Sequence, residues 1–429
     1  MKKRLLCLAL ALAAVVSCYG CGQEKQEVVE TEAESRPVLE IYAGQSEKEN
    51  LELLAEAYEE QNGEAGINIH LIPDSEYTQQ MMRIKNHEVP ADCIFFRDAN
   101  EAAVWRHKKV FKDLLPWYAD SDEAAYYETW YGDMQEEETY YMIPYRIGKI
   151  CVYYNKTLFD RLGVDYPEEE WTWEDYKETA KRLTGWSDHK KIYGSMGFGG
   201  DGIWWMLPAR TAGASDPYDG EELEIFRSSA EWCHEFNSEF AANFPYFEWA
   251  DEEWNGYNML FLEGRLGMYF GEDSEVNLLN QEIRKQGLQL EYDVAQLPVW
   301  DDRERAQVYQ TAVVCMAEAS QYPEEAYRFM EFCAGRQGGL ILAENGTVPA
   351  WQTDEVRQTY LASTQIPAHK EYFLGDGVPE GSSAADVLYY AGLEAMKNEV
   401  SLYMLNEQEL DYTFAKIEEE LKSLRAEQS

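Results

Sequence analysis

The stretch IPYRIGKICVYYNKTLFDRLGVDYPEEEWTWEDYKETAKRLT, residues 143–184, carries the clearest succession of structural signals in the chain. Its run 150–154 (ICVYY) is β-branched and aromatic, which favours a buried strand. Asn155 and Lys156 interrupt the run, and a short helix is predicted over 157–162, ending at Gly163. A second helix is predicted behind Thr172, which has the capping-box spacing to Asp175. The apolar residues of this helix recur at helical intervals, so one face is buried: Trp173, Tyr176, Ala180 and Leu183.

Further segments strengthen a family resemblance that begins in this stretch. Pro144-Tyr145, VYYNK at 152–156 and Leu158-Phe159 are followed by FLEGRLGM at 261–268, YDVA at 292–295 and GTVPA at 346–350. In this order they resemble family 1 extracellular solute-binding proteins, the sugar-capturing receptors of ABC importers. One departure concerns the turn after residue 271, where that family commonly has a Trp and this chain has Glu272-Asp273-Ser274. The sugar pose, and the sugar class with it, is therefore left open.

The resemblance implies an α/β fold of two lobes, the periplasmic-binding-protein or Venus-flytrap fold. Each lobe would be a sheet flanked by helices, and hinge strands would join the lobes. Lobe 1 would comprise 38–147 with 314–350, and lobe 2 would comprise 148–313 with 351–429. Closure around a ligand would then present the protein to the permease subunits of an ABC transporter.

The N-terminus has the three parts of an export signal. A basic segment (Lys2, Lys3, Arg4) precedes an apolar segment, 5–16, which is too short to span a bilayer. Residues 15–18 (VVSC) resemble a lipobox, so we expect a signal peptide over 1–17 and lipid attachment at Cys18, with Cys21 as the fallback. An uncleaved anchor is the alternative. The acidic segment 18–37 predicts a flexible tether, which would leave the body on the cell surface or in the periplasm.

Length and charge narrow the class of protein. A chain of 429 residues exceeds one compact core, so two or more lobes are expected. A net charge of −43 argues against nucleic acid or an anionic membrane surface as a partner. No segment after the N-terminus is long and apolar enough to predict a transmembrane helix. We therefore expect an extracytoplasmic monomer that contacts the membrane through its lipid alone.

The N-terminal part of the body predicts a parallel sheet. Strand-like runs at 38–44, 67–73 and 92–96 alternate with helical patterns. Ligands of such sheets bind beyond the carboxyl ends of the strands, which directs attention to 44–47 and 97–100.

Enzyme signatures are missing from the sequence. It has no H-E-x-x-H, no G-x-S-x-G and no P-loop. Gly197, Gly199 and Gly202 form a G-x-G-x-x-G, which we interpret as a loop presenting Trp204-Trp205 rather than a dinucleotide site. No cofactor and no metal ion is expected. We predict a binding protein and not an enzyme.

Sugar recognition needs flat aromatic rings for C–H faces and planar polar groups for hydroxyls. The candidate platforms are Tyr145, Trp204, Trp205, Tyr269 and Trp300. The candidate hydrogen-bonding residues are Glu47, Asp98, Arg146, Glu272 and Asp273. A carbohydrate receptor, for an oligosaccharide in view of the aromatic share of 14%, is the first hypothesis. A receptor for a peptide or metal chelate, and a glycan hydrolase using Glu272 and Asp273, are the alternatives.

Overall fold

Two five-stranded sheets with helices around them form the frame of the molecule. The computed structural model describes residues 36–61, 63–118, 121, 135–136, 139–187, 189–199, 204–239, 256–300, 305–375 and 387–427. The predicted signal peptide, nearly all of the tether, Cys18 and Cys21 lie outside these residues. Gly200 and Gly202 of the glycine-rich loop also lie outside them, so the predicted shape of that loop stays a prediction.

The first sheet has the strand order β2-β1-β3-β12-β6. Its strands are β1 (Val38–Gly44), β2 (Gly66–Ile72), β3 (Cys93–Phe96), β6 (Met142–Lys149) and β12 (Tyr309–Met316). β1 is parallel to β2 and β3, which confirms the predicted parallel arrangement of the N-terminal strands. β12 runs antiparallel to both β3 and β6. The complete sheet is therefore mixed.

The second sheet has the order β11-β7-β10-β9-β8. Its strands are β7 (Cys151–Asn155), β8 (Gly185–Ser187), β9 (Lys190–Ser195), β10 (Leu266–Gly271) and β11 (Tyr292–Ala295). β7 runs antiparallel to β10 and β11, and β10 is parallel to β9. A short hairpin, β4 (Gln135–Glu136) with β5 (Thr139–Tyr140), stands apart from both sheets.

Helices connect the strands and cover the sheets. Between the strands of the first sheet lie α1 (Lys48–Gln61), α2 (Tyr77–Lys85), α3 (Ala99–His107) and α4 (Leu115–Tyr118). The middle of the chain adds α5 (Lys156–Leu162), α6 (Trp173–Leu183), α7 (Leu207–Thr211), α8 (Gly220–Glu239), α9 (Gly256–Leu262) and α10 (Ser274–Gln286). The last part has α11 (Pro323–Ala334), α12 (Arg336–Glu344), α13 (Asp354–Ser363), α14 (Val387–Met404) and α15 (Leu410–Glu427).

From residue 150 onward, the stretch 143–184 folds as its sequence predicts. The predicted strand is β7, and α5 ends at Gly163, whose φ of 64° is left-handed. Thr172 and Asp175 form the predicted reciprocal capping box at the start of α6. Trp173 from that helix is completely buried and donates its indole N–H to Oγ1 of Thr211 at 2.9 Å. A strand before β7, namely β6, was not predicted.

The chain passes from one sheet to the other within a single residue. β6 ends at Lys149 and β7 begins at Cys151, so only Ile150 separates the two strands. The backbone N–H of Ile150 donates to the carbonyl of Val308, just before β12. Two neighbouring segments therefore cross between the sheets side by side, which fits the predicted hinge strands.

Buried aromatic rings account for much of the core. Tyr153 stacks on Tyr269 with ring centroids 4.9 Å apart, and Trp173 packs edge-on against Trp232 at 5.4 Å. The five cysteines of the described residues are buried and form no disulfide. Among the described helices, none has the length and apolar content needed to cross a membrane.

Candidate functional site

Polar side chains from both sheets meet beside the crossing strands. Glu47 lies in a short 3-10 helix directly after β1, and Tyr145 and Arg146 lie on β6. Glu272 and Asp273 come directly after β10 of the second sheet. We call these five residues the inter-sheet cluster. All five are among the residues predicted to contact the ligand.

Arg146 is the centre of the cluster. Its Nη2 donates to Oε1 of Glu47 at 2.8 Å, and its Nη1 lies 3.6 Å from Oε2 of Glu272. Tyr145 donates its hydroxyl to the other carboxylate oxygen of Glu47. Burial alone would lower the pKa of Arg146, but the Glu47 carboxylate raises it well above the usual value. The guanidinium is therefore permanently charged, and Glu47 is its main counter-ion.

The turn after β10 supplies two further acids with different surroundings. Asp273 is completely buried, and its Oδ2 accepts a hydrogen bond from the backbone N–H of Val348 at 2.7 Å. Burial raises its pKa to about 6. The Glu272 side chain keeps 18% of its surface exposed, and burial raises its pKa to about 8 although Arg146 opposes the shift. Glu272 is thus a largely protonated carboxyl at neutral pH that solvent can reach.

The predicted aromatic platforms fall into two groups. Trp204 and Trp300 are half-buried; Trp204 stacks on Phe270 at 6.1 Å, and Trp300 donates its indole N–H to the carbonyl of Pro208. Trp205 is 0% exposed and packs against Phe226 in the core.

Tyr145 and Tyr269 also have no exposed surface. The rings of Tyr145, Trp205 and Tyr269 are therefore not accessible to a ligand in this structure, because neighbouring core residues already cover them. Trp204 and Trp300 remain as predicted platforms.

Asp98 has a structural role as a helix cap, which its position in the sequence did not decide. It is the N-cap of α3, and its Oδ1 accepts from the backbone N–H of Asn100 at 2.8 Å. The side chain is half-buried just beyond the end of β3. Its predicted ligand contact stays a prediction.

Two residues beside predicted site residues were not among the predicted ligand contacts, although one of them, Arg97, lies in the segment 97–100 to which the sequence directed attention. Arg97, exposed directly after β3, is close enough to Glu272 to lower the pKa of that carboxyl. Tyr390 on α14 is half-buried; burial and then Glu394, Glu101 and Asp98 raise its pKa to about 12. α14 packs against both α3 and α8, so it lies between elements of the two sheets. The sequence signal for Tyr390 is the aromatic pair Tyr389-Tyr390.

The arrangement suits binding through hydrogen bonds and ring stacking. Within the described ranges, no three Asp, Glu, His or Cys side chains converge as metal ligands. The acids of the cluster are instead held by a guanidinium and a backbone N–H.

Comparison with known proteins identifies the family and the fold of the chain. The family model described as bacterial extracellular solute-binding protein matches residues 44–339. A sugar transporter protein of Rhizobium etli, solved in an open conformation, is 19% identical with a TM-score of 0.70, over 90% of this chain and 99% of that one. The ABC substrate-binding protein of Listeria monocytogenes in complex with cycloalternan is 17% identical with a TM-score of 0.71, over 91% and 99%.

A third similar structure is an ABC transporter solute-binding protein of Thermotoga lettingae bound to α-D-tagatose. It is 16% identical with a TM-score of 0.73, over 90% of this chain and 99% of that one. At such identities the likeness is one of fold, and it confirms the predicted two-lobed α/β architecture. The chain belongs to the bacterial extracellular solute-binding protein family and has the two-lobed periplasmic-binding-protein fold.

Proposed function

We propose that the protein captures a carbohydrate between its two lobes and delivers it to the permease of an ABC transporter. The observation that carries this proposal is the meeting of Glu47 and Arg146 from the first sheet with Glu272 from the second. A ligand bound there would touch both lobes at once. Such a ligand stabilises the closed arrangement, because only that arrangement offers all of its contacts.

The proposed lobes follow the two sheets, except that the last two residues of β6 (148–149) and the first five of β12 (309–313) fall in lobe 2. Lobe 1 comprises 38–147 with 314–350, and lobe 2 comprises 148–313 with 351–429. β6 and β7 join them through Ile150, and the segment before β12 runs beside that connection. Rotation about these strands opens and closes the cleft in the manner of other hinged binding proteins.

The chemistry of the cleft favours a neutral, hydroxyl-rich ligand. A protonated Glu272 both donates and accepts hydrogen bonds, as sugar hydroxyls do. Trp204 offers a half-buried ring for the apolar face of a sugar. The cycloalternan and tagatose carried by two similar structures support a carbohydrate, and we propose an oligosaccharide because several half-buried rings are available.

The N-terminal pattern supports a lipid anchor. We propose that Cys18, or Cys21 in its place, is acylated after removal of 1–17, and that the acidic segment to residue 37 holds the body off the membrane as a monomer. Metabolic labelling with an alkyne fatty acid tests this: the wild-type protein and C21S are expected to be labelled and C18S to lose the label. Label that persists in C18S and disappears in C21S would move the anchor to Cys21.

A binding screen tests the function. The purified protein is heated with D-tagatose, maltotriose, mannobiose and cycloalternan in separate samples, and the melting temperature is read. A ligand that binds only the native state at one hundred times its Kd adds about 2.7 kcal/mol, which is a clear shift. No shift with any sugar would overturn the carbohydrate proposal and lead to peptides and metal chelates.

Recovery of the bound sugar separates a receptor from a hydrolase. After prolonged incubation with a sugar that shifts the melting temperature, chromatography is expected to return it intact and in stoichiometric amount. Cleavage that disappears in E272Q or D273N would replace the receptor proposal with that of a glycan hydrolase.

A further inference from the structure

Glu272 occupies space that a side chain at position 148 would need. Gly148 lies near the end of β6, and a Cβ atom built on it would lie 2.4 Å from Oε2 of Glu272 and 2.8 Å from its Cδ. Such distances are below any real contact. The absence of a side chain at residue 148 is what allows the Glu272 carboxyl to lie against the strand.

The two residues belong to different sheets. Gly148 pairs with Gln310 in the first sheet, whereas Glu272 follows β10 of the second. The contact therefore joins the two sheets at the proposed boundary between the lobes, which runs between Ile147 and Gly148. Arg146, two residues before Gly148, adds its Nη1 at 3.6 Å from Oε2 of the same carboxyl.

Neighbouring contacts tie the same turn to a third segment. Asp273 accepts from the backbone N–H of Val348, and Val348 accepts in turn from the N–H of Ile147 on β6. Asn277, one turn into α10, donates its side-chain amide to the carbonyl of Asn345. The turn after β10 and the start of α10 are thus bonded to the segment 345–348, which is itself bonded to β6, and Glu272 lies at the side that solvent reaches.

We propose that Glu272 is a conformational latch, whose side chain fills the gap at Gly148 and holds the two lobes in their present arrangement before any ligand arrives. Gly148 is then a positioning residue for that latch. The link between this latch and ligand capture rests on the function proposed above, but the latch itself is a property of the unliganded protein.

The latch sets an equilibrium that a ligand can shift. Opening withdraws the Glu272 carboxyl from Arg146, whose Nε has no hydrogen-bond partner among the described residues even in this arrangement. Water that enters on opening can form hydrogen bonds with both groups. The free-energy difference between the open and the present arrangement is therefore modest. A receptor needs this free-energy difference to be modest, because a ligand can shift the populations of the two arrangements only by as much as its affinities for them differ.

A set of variants without ligand tests the latch. G148A, E272A, the double variant and E272Q are compared with wild type by small-angle X-ray scattering. Because the three atoms nearest to the new methyl in G148A all belong to the Glu272 side chain and none to the backbone, that variant is expected to fold. G148A and E272A are each expected to raise the radius of gyration, and the double variant is expected to show no further rise. E272Q keeps the size of the side chain and is expected to stay compact.

A matched pair inside one lobe serves as the control. Gly271 and Glu275 make a related contact: the glycine Cβ position lies 3.1 Å from Cδ of the acid and 3.1 Å from Cε2 of Tyr153, and all three residues belong to the second sheet or to α10. G271A and E275A are expected to leave the radius of gyration unchanged. The latch is overturned if G148A stays as compact as wild type, if the effects of G148A and E272A add, if E272Q expands, or if the control variants expand equally. Because no sugar is present, these results stand whatever the sugar screen returns.

Discussion

Arg146 and Glu47 form a buried ion pair in which Nη2 and Oε1 are 2.8 Å apart and the side chains are only 6% and 2% exposed. Neither group can turn to solvent when the other is removed. The pair joins β6 to the segment that follows β1, and it places the charge of Arg146 at the side of the Glu272 carboxyl.

Removal of the Arg146 guanidinium is therefore expected to lower the free energy of unfolding strongly. R146A leaves Glu47 buried without its counter-ion, and loss of one partner of a buried pair costs about 3–5 kcal/mol. Urea unfolding followed by far-UV circular dichroism measures this. The control is R336A, which breaks the half-exposed pair of Arg336 with Glu355 and should cost about 0–1 kcal/mol. An equal loss of unfolding free energy in R146A and R336A would contradict the burial of the Arg146–Glu47 pair.

Stability is expected to fall as the pH rises from about 4.5 to about 8. Burial raises the pKa of Glu272 from 4.5 to about 8, that of Glu275 from 4.5 to about 7 and that of Asp273 from 3.8 to about 6. In this window the folded protein holds protons that the unfolded chain has released, so rising pH favours unfolding.

E272Q should flatten this pH dependence, because the amide cannot ionise. Urea unfolding of wild type and E272Q at pH 5, 7 and 9 gives the comparison. The unfolding free energy of E272Q should exceed that of wild type by the largest amount at pH 9, because Glu272 of the wild type is then ionised beside Glu47 and Asp273. An unchanged slope in E272Q would show that other groups cause the pH dependence.

Adjacent tryptophans should respond differently to truncation. W205A removes a fully buried side chain from the core and should cost about 3–5 kcal/mol of unfolding free energy. W204A removes a half-buried ring and should change stability less, while weakening the binding of a sugar found in the screen by about tenfold or more. Urea unfolding and calorimetric titration provide the two readouts. Unchanged sugar affinity in W204A would remove Trp204 from the binding site.

Lys370 should act as a cap for α13. Its ammonium donates to the carbonyls of Tyr360 and Thr364 at 2.8 and 2.7 Å, and the residue is almost completely buried. K370M leaves both carbonyls without this donor and should cost about 1–3 kcal/mol. K285M, which removes an exposed lysine paired with Glu282, is the control and should change the unfolding free energy little. A neutral K370M would show that water replaces the ammonium.

Local signals in the sequence were sufficient to predict helices and strands, but they were not sufficient to predict the order of the strands in the sheets. The capping box at Thr172 and the glycine at 163 depend on neighbouring residues, and both are confirmed. The position of β12 between β3 and β6 depends on pairing across more than two hundred residues of sequence, as in the contact of Cys315 with Ile94. No local pattern carries that information, so the predicted parallel sheet lacked its antiparallel strand β12 and the strand β6 beyond it.

The candidate site was predicted in part for the same reason. Glu47 was proposed because the fold class says where strand ends converge, and Glu272 was proposed because its turn matches the ligand-facing turn of the resembled family. Whether an aromatic ring faces a cleft or the core depends on packing from distant elements. Trp205 is covered by Phe226 from α8, and a neighbour one residue away, Trp204, is not fully covered.

The place of β12 also has a consequence for synthesis and export. Three strands of the first sheet are complete once residue 96 has been made, yet the strand that joins them to β6 ends at Met316. The edge of β3 therefore has no partner while the whole second sheet is being translated. A nascent or translocating chain must keep this edge from pairing elsewhere until β12 has emerged, and a chain truncated before residue 309 lacks the strand that joins β3 to β6.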